Sequence, residues 1–128
     1  MTLRILIADD SELVRKGIKD LLTHDSDDWQ VCGEATDGDK AVKQAMELKP
    51  DVVLLDLSIP HFSGPRVVES LQHCLPTATI VMMSQQEPRL LKHIADSLAL
   101  QYWIPKSKLA DEMITTLEMI ARDKDRSV

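Results

Sequence analysis

Four short, mostly apolar runs limit this chain to very few folds. They span Leu3–Ala8, Val52–Leu55, Ile80–Met83 and Tyr102–Ile104. In stretches such as VVLL and IVMM the apolar side chains do not alternate with polar ones, which indicates strands of a parallel sheet that is covered on both faces. A fifth, more mixed run, Trp29–Ala35, lies between the first two and predicts another strand.

Segments with helical periodicity separate and follow these strands. In the first of them, Val14, Ile18 and Leu21 recur at spacings of three and four. The other four stripes are Ala41, Val42, Ala45 and Met46; Val67, Val68 and Leu71; Leu90, Leu91, Ile94 and Leu98; and Leu109, Met113, Leu117 and Ile120. Strands that alternate with helices predict an α/β fold, a doubly wound five-stranded parallel sheet in the order 2-1-3-4-5. Pro105 lacks a ladder donor, so the fifth strand is expected at an edge.

Composition and charge exclude several classes of protein. The chain has 128 residues, a net charge of −6 and 3% aromatic residues, which argues against direct nucleic-acid binding by this domain. Cys32 and Cys74 lack the spacing of a metal or redox site, as is typical of a reduced cytoplasmic protein. No apolar run could span a membrane, and acidic residues occur too early for a signal peptide. We therefore expect one cytoplasmic domain over residues 1–121, followed by a charged tail or the start of a linker over residues 122–128.

Polar residues follow four of the predicted strands. Asp9 and Asp10 come after the first strand, Asp56 after the third, Ser84 after the fourth and Lys106 after the fifth. Because ligands of open α/β sheets bind beyond the carboxyl ends of the strands, these side chains should meet at one rim. Taken singly, the aspartates and the serine can cap helices, and the lysine can neutralise a helix end. A carboxylate directly after VVLL is desolvated without a local partner, however, so the set together favours a functional site.

Three carboxylates at one rim repel each other. At a separation of about 5 Å and an effective dielectric constant near 20, the repulsion is about 3 kcal/mol per pair. A divalent cation with oxygen ligands offsets this repulsion, and Mg²⁺ suits a site that also receives a phosphate. Lys106 and Ser84 add an ammonium group and a hydroxyl group, which predicts a phosphoryl ligand. Asp56 lies between the acidic pair and these two residues in strand order, and is therefore the candidate nucleophile that would form an acyl phosphate.

The segments that carry these residues resemble the receiver domain of two-component response regulators. They are ILIADDSELVRKGI, VVLLDLSIPHFSG, IVMMS and YWIPKS, in this order along the chain. The resemblance implies the flavodoxin-like receiver fold, transfer of a phosphoryl group to Asp56 from a sensor histidine kinase or a small phosphodonor, and a need for Mg²⁺. It implies a metal site in which Asp10 and Asp56 bind directly, Asp9 binds mainly through water and Ser58 contributes its backbone carbonyl.

The same resemblance implies roles for residues around the phosphoryl group. Ser84 and Lys106 would bind its oxygens, while Ser58 and Gln86 would influence its loss to water. Trp103 would turn inward after phosphorylation and change the face formed by the fourth helix, the fifth strand and the fifth helix. Packing explains Trp103 equally well, and solvated loop positions explain Ser58 and Gln86 equally well.

Two other classes of protein share part of this pattern. An aspartate-nucleophile phosphatase of the haloacid dehalogenase kind also combines Asp, Ser or Thr, Lys and Mg²⁺, but it needs a second acid two residues after the nucleophile, where this chain has Ser58. A flavin carrier needs a glycine- and hydroxyl-rich phosphate loop, where Asp9 and Asp10 would repel a phosphate. The sequence therefore favours a signalling switch that catalyses only its own phosphorylation and slow dephosphorylation.

Two alternatives are left for the output of this switch. The segment SELVRKGIKDLL and the lysine followed by serine resemble receivers that are joined to a LuxR-type helix-turn-helix domain, which predicts regulation of transcription. A stand-alone regulator that acts by protein contact is the alternative. We also expect a homodimer, formed through the first and fifth helices or through the face that contains the fourth helix, fifth strand and fifth helix. Apolar stripes that simply face the sheet are the plainer explanation of the first and fifth helices.

Overall fold

The computed structural model describes residues 2–126 as one parallel sheet with helices on both faces. The strands are β1 (Leu3–Ala8), β2 (Trp29–Ala35), β3 (Val52–Asp56), β4 (Thr79–Ser84) and β5 (Tyr102–Pro105). The helices are α1 (Glu12–Asp25), α2 (Gly38–Leu48), α3 (Gly64–Cys74), α4 (Pro88–Ser97) and α5 (Leu109–Arg126), and a short 3-10 helix (Lys106–Lys108) precedes α5. The strand order β2-β1-β3-β4-β5 confirms the predicted fold class. None of the helices in this described part is long and apolar enough to cross a membrane.

The central strands are buried on both faces, as their uninterrupted apolar runs predict. In β1, Ile5 and Ile7 join the core that α1 and α5 cover, whereas Leu6 and Ala8 join the core that α2 and α3 cover. Helix α4 packs on Met82 in a smaller third cluster. Since helices hold the sheet from both sides, the carboxyl ends of β1, β3, β4 and β5 are fixed along one rim.

Capping and proline residues mark several element boundaries. The Oγ of Ser11 accepts a hydrogen bond from the backbone N–H of Val14 at 3.3 Å, which caps α1. Helix α3 begins at Gly64 with Pro65 in its first turn. Pro105 is the last residue of β5, and β5 is an edge strand as predicted.

Two residues of the predicted apolar stripes point to solvent instead of the core. Met46 in α2 is 41% exposed and Leu90 in α4 is 47% exposed, although their neighbours Ala45 and Leu91 are buried. Consecutive residues on a helix lie about 100° apart, so only one of each pair faces the sheet fully.

Helix α5 extends beyond the predicted domain boundary at residue 121. Residues 122–126, which the sequence analysis assigns to a tail or linker, form its last turns. The Oη of Tyr102 donates a hydrogen bond to Oδ2 of Asp123 at 2.6 Å, and the Nζ of Lys124 donates to the backbone carbonyl of Thr77 at 2.9 Å. These bonds tie the end of the helix to β5 and to the turn that precedes β4. The last two residues of the predicted tail, Ser127 and Val128, lie outside the described residues.

Candidate functional site

The structure brings the predicted polar residues to one rim of the sheet. Asp9 follows β1, Asp56 and Ser84 end β3 and β4, and Lys106 follows β5. Asp9, Asp56 and Ser84 are buried, whereas Asp10 is exposed. One carboxylate oxygen from each of the three aspartates lies within 4.8 Å of the other two. The predicted acidic cluster is therefore present.

Lys106 connects two of these carboxylates. Its Nζ lies 2.7 Å from Oδ2 of Asp9 and 3.4 Å from Oδ2 of Asp56. Burial lowers the pKa of Lys106, but the two carboxylates outweigh burial, and the pKa lies above its ordinary value. The lysine is therefore an ammonium ion at neutral pH, and three carboxylates with one ammonium leave a net charge of −2.

The two carboxylate oxygens of Asp9 have different surroundings. Oδ1 accepts a hydrogen bond from the backbone N–H of Ser11 at 2.9 Å. Oδ2 is buried and pairs with the ammonium group of Lys106, whose Nζ lies 2.7 Å away. Buried polar atoms normally have a hydrogen-bond partner or a bound ion. Lys106 is the described partner of this oxygen, and an all-oxygen donor set of three aspartates with a net charge of −2 fits Mg²⁺.

Asp56 is held by the residue two positions after it. The backbone N–H and the Oγ–H of Ser58 both donate to Oδ1 of Asp56 at 3.0 Å. Oδ2 lies near Lys106 instead and accepts no bond from Ser58. The carboxylate therefore has a fixed orientation, with one oxygen occupied by donors and the other beside a cation. The predicted roles of Ser58 as a metal ligand and a modulating residue stay predictions.

Ser84, Gln86 and Trp103, which are predicted to bind the phosphoryl group, to influence its loss and to switch, make no described hydrogen bond to the acidic cluster. The Oγ of Ser84 accepts the backbone N–H of Gln86 at 3.1 Å, and among the described contacts no hydrogen bond joins Ser84 to Asp56 or Lys106. The side chain of Gln86 is exposed. Trp103 is partly buried and packs against the small cluster that includes Met82 of β4. The predicted switching role of Trp103 and the modulating role of Gln86 stay predictions.

Sequence reasoning missed a charged network behind the acidic cluster. The Nη1 of Arg15 donates to the backbone carbonyl of Asp9 at 2.9 Å, and its Nε donates to Oε1 of Glu34 at 3.0 Å. The Nζ of Lys19 donates to the other oxygen of Glu34 at 2.9 Å. The bond from Lys19, together with that from Arg15, outweighs burial and lowers the pKa of Glu34. The only signal in the sequence is a basic residue near the start of α1 and an acidic residue near the end of β2.

Comparison with known proteins assigns the family. The response regulator receiver domain family matches residues 5–118. This chain belongs to that family. Receiver domains are signalling modules of two-component systems, and the acidic pocket of the family binds Mg²⁺. Receiver domains of this family also interact with histidine kinases.

Two relatives and one solved structure illustrate the similarity. The receiver domain is 30% identical over 129 residues to a protein-glutamate methylesterase/protein-glutamine glutaminase of Caldanaerobacter subterraneus subsp. tengcongensis, covering 93% of this chain and 35% of that protein. It is 36% identical over 88 residues to the transcriptional regulatory protein YdfI of Bacillus subtilis, covering 69% of this chain and 41% of that protein. The structure of the REC domain of AraT, a response regulator from Geobacillus stearothermophilus, superposes with a TM-score of 0.88 at 22% identity, covering 99% and 98% of the two chains.

The receiver domain spans only part of these curated relatives. It covers 35% of the methylesterase and 41% of the transcriptional regulator, so their names describe proteins with additional chain. At 22% identity, the likeness to the AraT domain concerns the fold. The comparisons therefore agree on the signalling module that the two relatives share, whereas their names differ in output.

Proposed function

We propose that Asp56 of this receiver domain accepts a phosphoryl group from a sensor histidine kinase in a reaction that needs Mg²⁺. The observation that carries the proposal is the acidic cluster, in which oxygens of Asp9, Asp10 and Asp56 lie within 4.8 Å of one another. Within residues 2–126, the ammonium of Lys106 lies beside two of them, Asp9 and Asp56. A rim that gathers negative charge in this way is suited to a cation and a phosphoryl group together.

The residues of this chain would have different roles in this reaction. The side chains of Asp9, Asp10 and Asp56 and the backbone carbonyl of Ser58 would hold Mg²⁺, with Asp9 acting mainly through water. When bound, the cation neutralises negative charge on the transferred oxygens. An oxygen of Asp56 attacks phosphorus, and the bond from phosphorus to the donor nitrogen breaks with its electron pair on the leaving imidazole. The ammonium group of Lys106 neutralises a second phosphoryl oxygen.

Three further residues would act after transfer. The hydroxyl group of Ser84 would donate to a phosphoryl oxygen, which requires it to give up or share its present bond with the backbone N–H of Gln86. Ser58 and Gln86 would orient or block the water that hydrolyses the acyl phosphate. Trp103, packed on the cluster with Met82, would follow the movement of Ser84 because both belong to neighbouring strands. A change in Trp103 fluorescence on phosphorylation, in a Trp29→Phe background, tests this step.

Intact-protein mass spectrometry with acetyl phosphate and Mg²⁺ tests the central proposal. We expect one phosphoryl group per chain, lost slowly, and none in the presence of a chelator. Multiple turnover on phosphate esters would support a phosphatase instead, and a bound yellow cofactor would support a flavin carrier. An unmodified protein at saturating donor and Mg²⁺ would contradict the proposal.

We infer that the receiver controls transcription as the regulatory part of a LuxR-type protein located in the cytoplasm. The similarity to the transcriptional regulatory protein YdfI supports this inference, as does the sequence pattern of α1. The native reading frame beyond residue 128 tests it, since a helix-turn-helix segment is expected there. A frame without an output domain would favour the stand-alone regulator, and an esterase domain would assign the activity to that domain instead.

We also infer that a second copy of the domain is a partner and binds through α1 and α5. Leu13 of α1 is 81% exposed, and residues of α1 and the start of α5 line a groove of about 590 Å³. Gly17 and Leu21 line this groove, and an added Cβ at Gly17 would contact nothing within 4 Å. Sedimentation with and without acetyl phosphate tests the inference. A dimer that persists in Leu13→Asp would favour the face formed by α4, β5 and α5, and a constant monomer would contradict dimerisation.

A further inference from the structure

The peptide bond between the first two aspartates is held by a side chain from α1. The Nη1 of Arg15 donates to the carbonyl oxygen of Asp9 at 2.9 Å. This oxygen belongs to the peptide group that continues into Asp10. Because the peptide group is planar, fixing its carbonyl also fixes the direction of the N–H and the Cα of Asp10. Arg15 therefore acts on the orientation of Asp10 without touching its carboxylate.

Asp9 has other supports, whereas Asp10 has few. The backbone N–H of Asp9 donates to the carbonyl of Ala35 at 3.0 Å, and its carboxylate accepts the N–H of Ser11. Asp10 is exposed, lies between β1 and α1, and its side chain makes no hydrogen bond within residues 2–126. The direction of its carboxylate depends on the two peptide groups that flank it. Oδ1 of Asp9 holds the one that follows by accepting the N–H of Ser11, and Arg15 holds the one that precedes by bonding the carbonyl of Asp9.

The guanidinium group of Arg15 is itself fixed in place. Its Nε donates to Oε1 of Glu34 at 3.0 Å, while its Nη1 is directed to Asp9. The side chain is 13% exposed. A planar guanidinium that donates from two of its nitrogens has a defined orientation, which a flexible lysine at the same position could not reproduce. Glu34 on β2 thus orients Arg15, and Arg15 orients the acidic pair.

We propose that Arg15, oriented by Glu34, is a positioning residue that sets the affinity of the acidic cluster for Mg²⁺ through the Asp9–Asp10 peptide bond. The inference rests on the proposed function, since it requires that the cluster bind the cation. Outer residues that orient metal ligands commonly change affinity when they are removed. Arg15 neither contributes a ligand nor contacts the reacting carboxylate, so its effect should appear in cation binding and not in the chemical step.

Lys19 provides a matched control for this proposal. Its Nζ also forms an ion pair with Glu34, at 2.9 Å, but makes no bond to Asp9. Arg15→Met and Lys19→Met each remove one cation from Glu34, and only the first releases the carbonyl of Asp9. Calorimetric titration with Mg²⁺ should show a dissociation constant roughly tenfold higher in Arg15→Met and unchanged in Lys19→Met. The rate of phosphorylation by acetyl phosphate should fall in Arg15→Met at low Mg²⁺ and recover at saturating Mg²⁺.

A second variant and a spectroscopic readout keep the test decisive. If Arg15→Met does not fold, Arg15→Lys retains a cation beside Glu34 and should show a smaller loss of Mg²⁺ affinity. In the amide NMR spectrum, the resonance of Ser11, whose N–H bonds Asp9, should shift in Arg15→Met and move less on addition of Mg²⁺. Equal Mg²⁺ affinity in the Arg15 variants and in Lys19→Met would overturn the inference. Absence of Mg²⁺ binding by the wild-type protein would instead contradict the proposed function.

Discussion

Strand β3 is flanked by two aspartates that have opposite surroundings. Asp51, just before the strand, accepts the backbone N–H of Arg4 on Oδ2 at 2.8 Å, and its own backbone N–H and carbonyl bond Arg4 and Thr79. Asp56, at the end of the strand, is buried among other carboxylates and shares one ammonium with Asp9. The carboxylate before β3 thus bonds a neighbouring strand, whereas the carboxylate at its end lies in a cluster with excess negative charge.

The difference between the two ends of the sheet concerns which groups are paired. At the amino end, the guanidinium of Arg4 donates to the carbonyls of Leu48 and Lys49, and Tyr102 donates to Asp123. At the carboxyl end, oxygens of three carboxylates lie within 4.8 Å of one another, and the described ammonium of Lys106 pairs with two of them, Asp9 and Asp56. Polar groups are paired at one end, whereas the other end has an excess of negative charge that the proposed cation would offset.

The largest effect on stability is expected where the carboxyl-end loops touch through their backbones. Gly38 donates its N–H to the carbonyl of Pro60 at 2.9 Å, and an added Cβ would clash with the carbonyl oxygen of Phe62. Gly38→Ala should therefore lower the free energy of unfolding by about 3 kcal/mol, measured by urea denaturation. Gly17→Ala, where a Cβ meets nothing within 4 Å, is the control and should stabilise α1 by up to about 1 kcal/mol. Equal effects of the two substitutions would contradict this explanation.

Removal of the carboxylate at the amino end should destabilise the protein. Asp51→Ala leaves the backbone N–H of Arg4 without its acceptor, which should cost about 2 kcal/mol in urea denaturation. Asp51→Asn keeps an acceptor oxygen and should cost less. If Asp51→Ala left the free energy of unfolding unchanged, the proposed difference between the two ends of β3 would be contradicted.

Removal of a carboxylate at the carboxyl end should instead raise the free energy of unfolding when no metal is bound. Asp10→Asn removes one charge from the cluster, and because Asp10 is exposed the relief is expected near the water-screened limit, about 1 kcal/mol of added stability. The variant should also lose the stabilisation that Mg²⁺ gives to the wild-type protein. Denaturation in chelator and in excess Mg²⁺ measures both effects. A less stable variant in chelator would mean that Asp10 supports the local structure.

The smallest effect is expected at the bond between Tyr102 and Asp123, and it depends on pH. Tyr102→Phe removes this bond and should cost about 1 kcal/mol at neutral pH. Burial, followed by the hydrogen bond and the charge of Asp123, raises the pKa of Tyr102 to about 12. The raised pKa favours the neutral phenol in the folded state, so its contribution is complete below the unfolded pKa of about 10 and is lost as the pH approaches 12. Denaturation at several pH values should show this loss in the wild-type protein and not in Tyr102→Phe.

The sequence was sufficient for the fold and for the location of the site. Uninterrupted apolar runs predict strands that are buried on both faces, and the rule for open sheets then brings Asp9, Asp56, Ser84 and Lys106 to one rim. It was not sufficient for contacts that depend on side-chain direction. A charged residue such as Arg15 has the same helical pattern whether it faces solvent or bonds a backbone carbonyl.

The end of α5 is a second example of contacts that the local sequence does not predict. The charged residues after position 121 are typical of a solvated tail, whereas in the structure they continue α5 to Arg126 and bond β5 and the turn before β4. Lys124 reaches the carbonyl of Thr77, and Asp123 accepts the hydroxyl of Tyr102. These partners are 47 and 21 residues away in sequence, so local composition does not predict them.

Peptide mapping of the phosphorylated protein tests the central claim most directly. After incubation with acetyl phosphate and Mg²⁺, reduction with borohydride should mark a single residue, Asp56, in the wild-type protein. Asp56→Asn, which retains Asp9, Asp10 and Lys106, should carry no mark. A modification at another residue, or equal modification in Asp56→Asn, would contradict the account.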